Sequence, residues 1–283
     1  MEEVARMVHS LDPYHPVCTT VAGGLQRVPD IERFCPNIDL LGVNTYSRLL
    51  TLAHDLRALG WKKPYVVTEY GCQGYWECAL TPWKVPLEQN STAKAAYVQN
   101  RYEQGILGDS ARCLGGYVFF WGQKEEGTPT WFSLFGAKGE KTSTIDALQQ
   151  LWTGHAPANL APSIGPLRLA GLYDTDRVRL PAGARYPAVV TAADAEQDAL
   201  YARWEVRPEA PPAMQLRTLN TMAEPVPGAI EQAQGLTAQV RVPTKPGPYR
   251  LFVRVYDGHG SVATANLPFF AQPNATPAGK VSR

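Results

Sequence analysis

The chain has 283 residues, enough for two domains or one large one. At 45% hydrophobic and 19% charged it has the composition of a soluble globular protein, and its formal net charge of +1 gives no electrostatic case for a nucleic-acid or membrane-surface partner. It holds no run of about 18 apolar residues, so no membrane span is expected.

The first residues read as the start of a helix rather than a secretory leader. Val4, Val8 and Leu11 recur at helical spacing, and Asp12-Pro13 stops the pattern. Residues 17–21 read as a short strand and 30–34 as a short helix. Residues 39–43 are the next buried strand, running into Asn44-Thr45-Tyr46. Leu52, Leu56 and Leu59 form a helical stripe closed by Gly60. Residues 65–68 are a third strand. Ser91 or Thr92 caps a long helix that ends near Gly108. Residues 116–121 are a fourth, aromatic-rich strand. Ser143, with Asp146 three residues on, opens a last helix carrying Ile145, Leu148, Leu151 and Trp152. Four strands, each followed by a helix, predict a parallel α/β arrangement over residues 1–153.

Residues 154–166 hold three prolines and two glycines and read as a linker. From residue 167 the pattern changes to short strands, at 186–192, 200–206, 237–242, 249–256 and 261–267. Asp257-Gly258 and His259-Gly260 mark a tight hairpin turn between the last two. A compact antiparallel sandwich over 167–271 fits, with a frayed tail at 272–283. Asp194 and Asp198 allow two readings, a calcium ligand pair or a solvated turn, and an EF-hand-like set would need more oxygens at fixed spacing.

Five cysteines, Cys18, Cys35, Cys72, Cys78 and Cys113, all lie in the first 113 residues. No C-x-x-C occurs and no His pair completes a ligand set, so no metal site and no cofactor are expected. Two readings stand: buried free thiols, or a Cys72–Cys78 disulfide, which would require an oxidising compartment.

The most informative stretch is Tyr65-Val66-Val67-Thr68-Glu69-Tyr70-Gly71. Four β-favouring residues lead into a carboxylate, and a glycine stops the run. In a β/α barrel the C-terminal mouth of a strand is where chemistry sits, and an acid there is costly to bury for packing alone. The alternative is a glutamate in an ordinary exposed turn.

Three segments in order carry a resemblance: residues 39–46 with Asn44 and Tyr46, residues 63–71 with Glu69, and residues 116–123 with Trp121 and Gln123. They resemble the last strands of the catalytic barrel of glycoside hydrolase family 2, in the clan of retaining (β/α)8 glycosidases. The resemblance covers residues 1–155, and residues 167–271 resemble the immunoglobulin-like modules often appended to extracellular glycosidases. It implies a partial (β/α)8 barrel of the last four β/α units, followed by an immunoglobulin-like sandwich. It further implies hydrolysis of O-glycosidic bonds in a β-galactosidase- or β-glucuronidase-like manner, a carbohydrate substrate, and a periplasmic or extracellular parent enzyme.

Carried over, Glu69 matches the nucleophile, Tyr46 an aromatic that hydrogen-bonds it, Asn44 a neighbour of both, and Trp121 the platform under the sugar. Gln123 would lie in reach of the same pocket. Such chemistry needs a second carboxyl group about 5 Å away as acid and then base. In the family it follows an asparagine at the end of barrel strand four, and no such Asn-Glu pair occurs here. Glu77, Glu125 and Glu126 are read as solvated loop acids. The chain is therefore expected to represent the C-terminal part of a longer enzyme, whose open sheet edges would pair with the missing half or with another copy. The competing readings are a non-catalytic carbohydrate-binding protein and a structural module.

Overall fold

Four short apolar runs within the first 121 residues become the four strands of one parallel sheet. The computed structural model describes residues 1–209 and 224–273, which fall into two units. The first comprises Met1–Glu77 and Ala96–Trp121. In chain order its elements are α1 (Glu2–Leu11), β1 (Cys18–Ala22), α2 (Val28–Phe34), β2 (Leu40–Asn44), α3 (Leu52–Ala58), β3 (Tyr65–Tyr70), the later part of α4 (Ser91–Arg101) and β4 (Cys113–Val118). The sheet order is β1-β2-β3-β4, every pairing parallel. Parallel neighbours need a crossover, and the helices supply it. Leu41, Val43, Tyr65 and Val67 of β2 and β3 are buried, and so are Leu52 and Leu56 of α3 and Val28 and Ile31 of α2. Among the described residues, β1 and β4 each have a neighbour on one side only.

Two expectations shift here. The Val4–Val8–Leu11 stripe of α1 faces largely outward: Val4 is 57% and Leu11 79% exposed, and Ala5 is the helix's buried residue. Periodicity identified the helix but not a surface for it to cover. The fourth strand ends at Val118 rather than Trp121, because β4 pairs β3 from Cys113 to Val118, three residues earlier than the aromatic run suggested.

The second unit comprises Cys78–Ala95 and residues from Gly122 onward. It holds α5 (Ser143–Thr153), β5 (Ser163–Ile164), β6 (Arg168–Leu169), β7 (Arg179–Pro181), β8 (Arg185–Val189), β9 (Ala192–Ala193), β10 (Tyr201–Pro208), β11 (Ile230–Gln234), β12 (Thr237–Arg241), β13 (Gly247–Tyr256) and β14 (Val262–Gln272). Two four-stranded sheets, β10-β13-β14-β7 and β11-β12-β8-β6, contribute to one buried cluster. Val206, Leu251, Val253, Leu267 and Phe269 come from the first sheet, and Leu169, Ala188 and Val240 from the second. All pairings are antiparallel except β14 with β7. The expected tail at 272–283 lies outside the described residues beyond Pro273.

The division differs from a boundary at 153. Residues 122–153, α5 included, belong to the second unit, and the 154–166 stretch is docked rather than free. Lys141 Nζ donates to the Asn159 carbonyl at 2.5 Å, and Asn159 Nδ2 donates to Asp257 Oδ2 at 2.9 Å. Ala161 N donates to Asp146 Oδ2 at 2.6 Å, and β5 pairs with β9. Asp146 thus serves as an anchor, and no side chain caps α5. Proline and glycine limit backbone conformation, but they do not prevent such docking. The cap of α4 also differs. Asn90 Oδ1 accepts the Ala93 N–H at 2.8 Å, while the Ser91 and Thr92 hydroxyls accept the N–H groups of Thr264 and Ile164. Asp194 closes its own turn by accepting the Glu196 and Asp198 N–H groups.

A buried charge cluster invisible to strand patterning lies within this unit. Arg250 is fully buried and donates to Glu209 at 2.6 Å, to Asn266 at 2.6 Å and to the Pro86 carbonyl at 2.8 Å. Close by, Glu88 accepts from Lys94 at 2.5 Å, Thr128 at 2.7 Å and Thr130 at 2.8 Å. Breaking a buried ion pair strands its partner. Arg250→Met should therefore destabilise the protein by about 3–5 kcal/mol in urea unfolding, and a loss near zero would mean that Glu209 is not held by this pair.

The β13–β14 turn has a pH-dependent component. Asp257 accepts the His259 N–H at 2.8 Å and the Ser261 N–H at 3.0 Å. Burial pushes its carboxyl upward, but Asn159 and these donors outweigh that and hold it below the usual carboxylate range. Its contribution is complete above about pH 4, the ordinary unfolded value, and is lost as pH falls through the depressed folded value. Asp257→Ala should lower the urea midpoint at neutral pH and flatten the fall in stability below about pH 4. An acid limb as steep as that of the wild type would contradict this assignment.

Candidate active site

The register between β2 and β3 positions the site. Leu41, Gly42 and Val43 lie opposite Tyr65, Val66 and Val67, but Asn44 lies opposite Glu69. One extra residue, Thr68, therefore sits in β3, and such a bulge re-aims the side chains next to it. The result brings three side chains together at the C-terminal end of the sheet. Asn44 Nδ2 donates to Glu69 Oε2 at 2.8 Å. The Tyr46 hydroxyl donates to Glu69 Oε1. Thr68 Oγ1 donates to Asn44 Oδ1 at 2.7 Å, so the bulged residue orients the asparagine's amide toward the acid.

Aromatic rings build the rim. Trp76 stands edge-on to Tyr46, with ring centroids 5.2 Å apart and planes at 90°, and edge-on to Tyr75 at 4.8 Å. Gly74 makes room for this, since a Cβ there would meet the Trp76 ring at 2.5 Å. Gly71, which ends the strand, approaches the Phe119 carbonyl so closely that a Cβ would lie 2.6 Å from it. The cleft enclosed has a volume of about 370 Å³ and is lined by Asn44, Tyr46 and Glu69, with Arg48, Asp55, Trp76 and Glu77 around them. The indole of Trp76 is 55% exposed, a flat apolar surface of the kind on which a sugar ring stacks.

Of the five residues singled out by sequence, three converge here. Trp121 does not line the cleft; it lies three residues beyond the end of β4 and is 57% exposed. Gln123 belongs to the second unit, where it lines a different cleft of about 380 Å³ with Arg203, Arg207 and Arg254. Both expectations came from the resemblance, with Trp121 placed at the end of the fourth strand; that strand ends three residues earlier, at Val118. The loop acids also correct the sequence reading, because each is engaged. Glu77 accepts the Ser47 hydroxyl at 2.7 Å and the Gly74 N–H at 3.2 Å. Glu125 pairs with Arg207 at 3.5 Å, and Glu126 with Lys124 at 2.6 Å. The role of Glu77 has no sequence signature, since its donor Ser47 lies 30 residues away in another loop.

Chemically, the cleft presents three carboxylates, of which Glu69 is oriented by Tyr46 and Asn44. Asp55, the third lining acid, accepts from Thr51 at 3.0 Å and Arg48 at 3.3 Å. Among the described residues, no group of three or more His, Cys, Asp or Glu side chains could hold a metal ion, and no helix is long and apolar enough to cross a membrane. Asn44→Asp would set two carboxylates at hydrogen-bond distance, where like charges disfavour joint ionisation. That variant should melt below the wild type at neutral pH and regain the difference on acidification to about pH 4. Equal melting temperatures at both pH values would show that Asn44 and Glu69 do not touch.

No protein-family description matches the chain, and no curated protein does. Several solved structures are similar in part, among them the following two. One is the PKD domain of an M14-like peptidase from Thermoplasmatales archaeon SCGC AB-540-F20, 13% identical, covering 41% of this chain and 100% of that one, with a TM-score of 0.24. The other is a nucleoside hydrolase-related hypothetical protein from Saccharophagus degradans that is associated with carbohydrate metabolism. It is 12% identical and covers 95% of this chain and 75% of that one, with a TM-score of 0.32. At these scores neither likeness carries an argument about fold or function.

Proposed function

We propose that the chain is the nucleophile-bearing C-terminal portion of a retaining β-glycosidase, β-galactosidase- or β-glucuronidase-like, with Glu69 as nucleophile. On this reading the first unit corresponds to the last four β/α units of a (β/α)8 barrel, and the second includes an immunoglobulin-like sandwich. The observation that carries the proposal is the Glu69 carboxylate held by Tyr46 and Asn44 at the C-terminal end of consecutive parallel strands. The order of the three resembling segments supports it, and so does the exposed indole beside the acid.

The chemistry follows from these positions. A Glu69 oxygen attacks the anomeric carbon from one face while the aglycone oxygen leaves from the other, giving a glycosyl ester on Glu69. Water then displaces the ester, and the two inversions amount to retention. Tyr46 and Asn44 fix the attacking carboxylate, and Trp76 offers a wall for the sugar ring. The leaving oxygen needs a proton, and Asp55 and Glu77 are both committed to their own donors. General acid catalysis is worth roughly 10²–10⁴-fold, so this chain should act only on glycosides that leave without protonation. The same lack of a spare acid favours, as the second reading, a sugar-binding cleft without turnover.

The test uses 2,4-dinitrophenyl β-glycosides of glucose, galactose and glucuronic acid. The wild type should release dinitrophenolate slowly from at least one of them, while p-nitrophenyl and natural glycosides remain intact. Glu69→Gly should lose that activity and regain it with added azide, which would attack in place of the carboxylate and yield the α-glycosyl azide. Release undiminished in Glu69→Gly without azide would remove Glu69 from the mechanism. Binding of these sugars without any release would support the second reading.

A further inference from the structure

Glu77 is a second acid of the same cleft, and its bonds run to the residue next to Tyr46. Its carboxylate accepts the Ser47 N–H at 3.3 Å, the Ser47 hydroxyl at 2.7 Å and the Gly74 N–H at 3.2 Å. Ser47 opens the short 3-10 turn Ser47–Leu50 that follows β2, and Tyr46, at its N-cap, supplies no side-chain cap. An acid from the loop after β3 therefore caps a turn in the loop after β2, satisfying an N–H that would otherwise lack a partner. Glu77 in turn has its own backbone fixed: its N–H donates to the Gly74 carbonyl at 2.9 Å, and its carbonyl accepts from Gln73 Nε2 at 3.0 Å.

The sequence neighbours of these two residues complete a ring. Tyr46 precedes Ser47 and donates to Glu69; Trp76 precedes Glu77 and stands edge-on to Tyr46. A displacement of Glu77 moves both sides of the Tyr46–Trp76 contact together. We propose that Glu77 is a positioning residue, which holds the Tyr46 phenol, and through it the Glu69 carboxylate, in the attacking geometry. The proposal rests on the reading of Glu69 as a nucleophile. It assigns Glu77 no proton transfer, because its oxygens already accept three donors. Misplacing a reacting group by about 1 Å can cost on the order of 100-fold, which sets the scale of the expected effect.

The experiment measures covalent inactivation by 2,4-dinitrophenyl 2-deoxy-2-fluoro-β-D-glucoside and the matching galactoside. These probes need no general acid, so an acid role for Glu77 would not register. Glu77→Ala should lower the maximal inactivation rate about 10- to 100-fold and leave the half-saturating concentration within about twofold, and Glu77→Gln, whose amide oxygen still accepts from Ser47, should restore most of the rate. Ser47→Ala should reproduce part of the loss if Glu77→Ala folds poorly. In a double-mutant cycle, Glu77→Ala should add nothing to Tyr46→Phe, because both act through one hydrogen bond. A wild-type rate in Glu77→Ala, or losses that simply multiply in the double variant, would overturn the proposal. Should the wild type take no label on Glu69, the glycosidase reading fails by itself. The positioning claim is then decided by NMR: Tyr46 ring-proton shifts that move in Glu77→Ala support it, and unmoved shifts overturn it.

Discussion

One extra residue in β3 is the constraint on which the proposed site depends. Without the bulge at Thr68, Asn44 would face Thr68 across the strand pair. With it, Asn44 faces Glu69, and Thr68 remains close enough to set the asparagine's amide. The irregularity thus converts a plain parallel pairing into a carboxylate with two fixed donors. A ladder of regular pairs would be more uniform, but it would place a hydroxyl where the acid now sits. Bulges recur beside functional sites for this reason.

The first unit is otherwise economical. Its sheet is built from strands of five or six residues, and Asn44 and Glu69 lie at the C-terminal ends of two of them. The loops after β2 and β3 are joined by Glu77, whose carboxylate accepts the Ser47 hydroxyl as well as the Gly74 N–H. The second unit meets a different demand. It buries Arg250, Glu209, Glu88 and Lys94 and satisfies them with one another and with Asn266, Thr128 and Thr130. Buried charge is tolerable only when each group finds partners of this kind.

Much of the architecture was legible in the sequence, and the reasons differ by element. The runs ending at Val43 and Thr68 marked β2 and β3 because buried parallel strands are continuously apolar. The Asp257-Gly258 turn marked the β13–β14 hairpin because positive φ there suits glycine, and Gly258 does adopt φ +81°. The convergence of Asn44, Tyr46 and Glu69 followed from placing all three at strand ends. Other features depend on pairing partners that no local pattern encodes. Arg250 reads as an interruption in an apolar strand until Glu209 is brought beside it. Glu77 reads as a loop acid until Ser47 and Gly74 surround it. The aromatic run to Trp121 resembles a strand by propensity, yet its last residues lie beyond the ladder, which ends at Val118.

On the proposed reading Glu69 is the bond-forming nucleophile and not merely a well-held acid. Its most direct test is to incubate the wild-type chain with the 2-fluoro glycosyl probes, digest it with pepsin, and sequence the labelled peptide by mass spectrometry. A nucleophilic Glu69 gives one added 2-fluoroglycosyl group on the peptide containing Thr68-Glu69-Tyr70, localised to Glu69 and absent from Glu69→Gln. A label on any other residue, or one retained in Glu69→Gln, would contradict it.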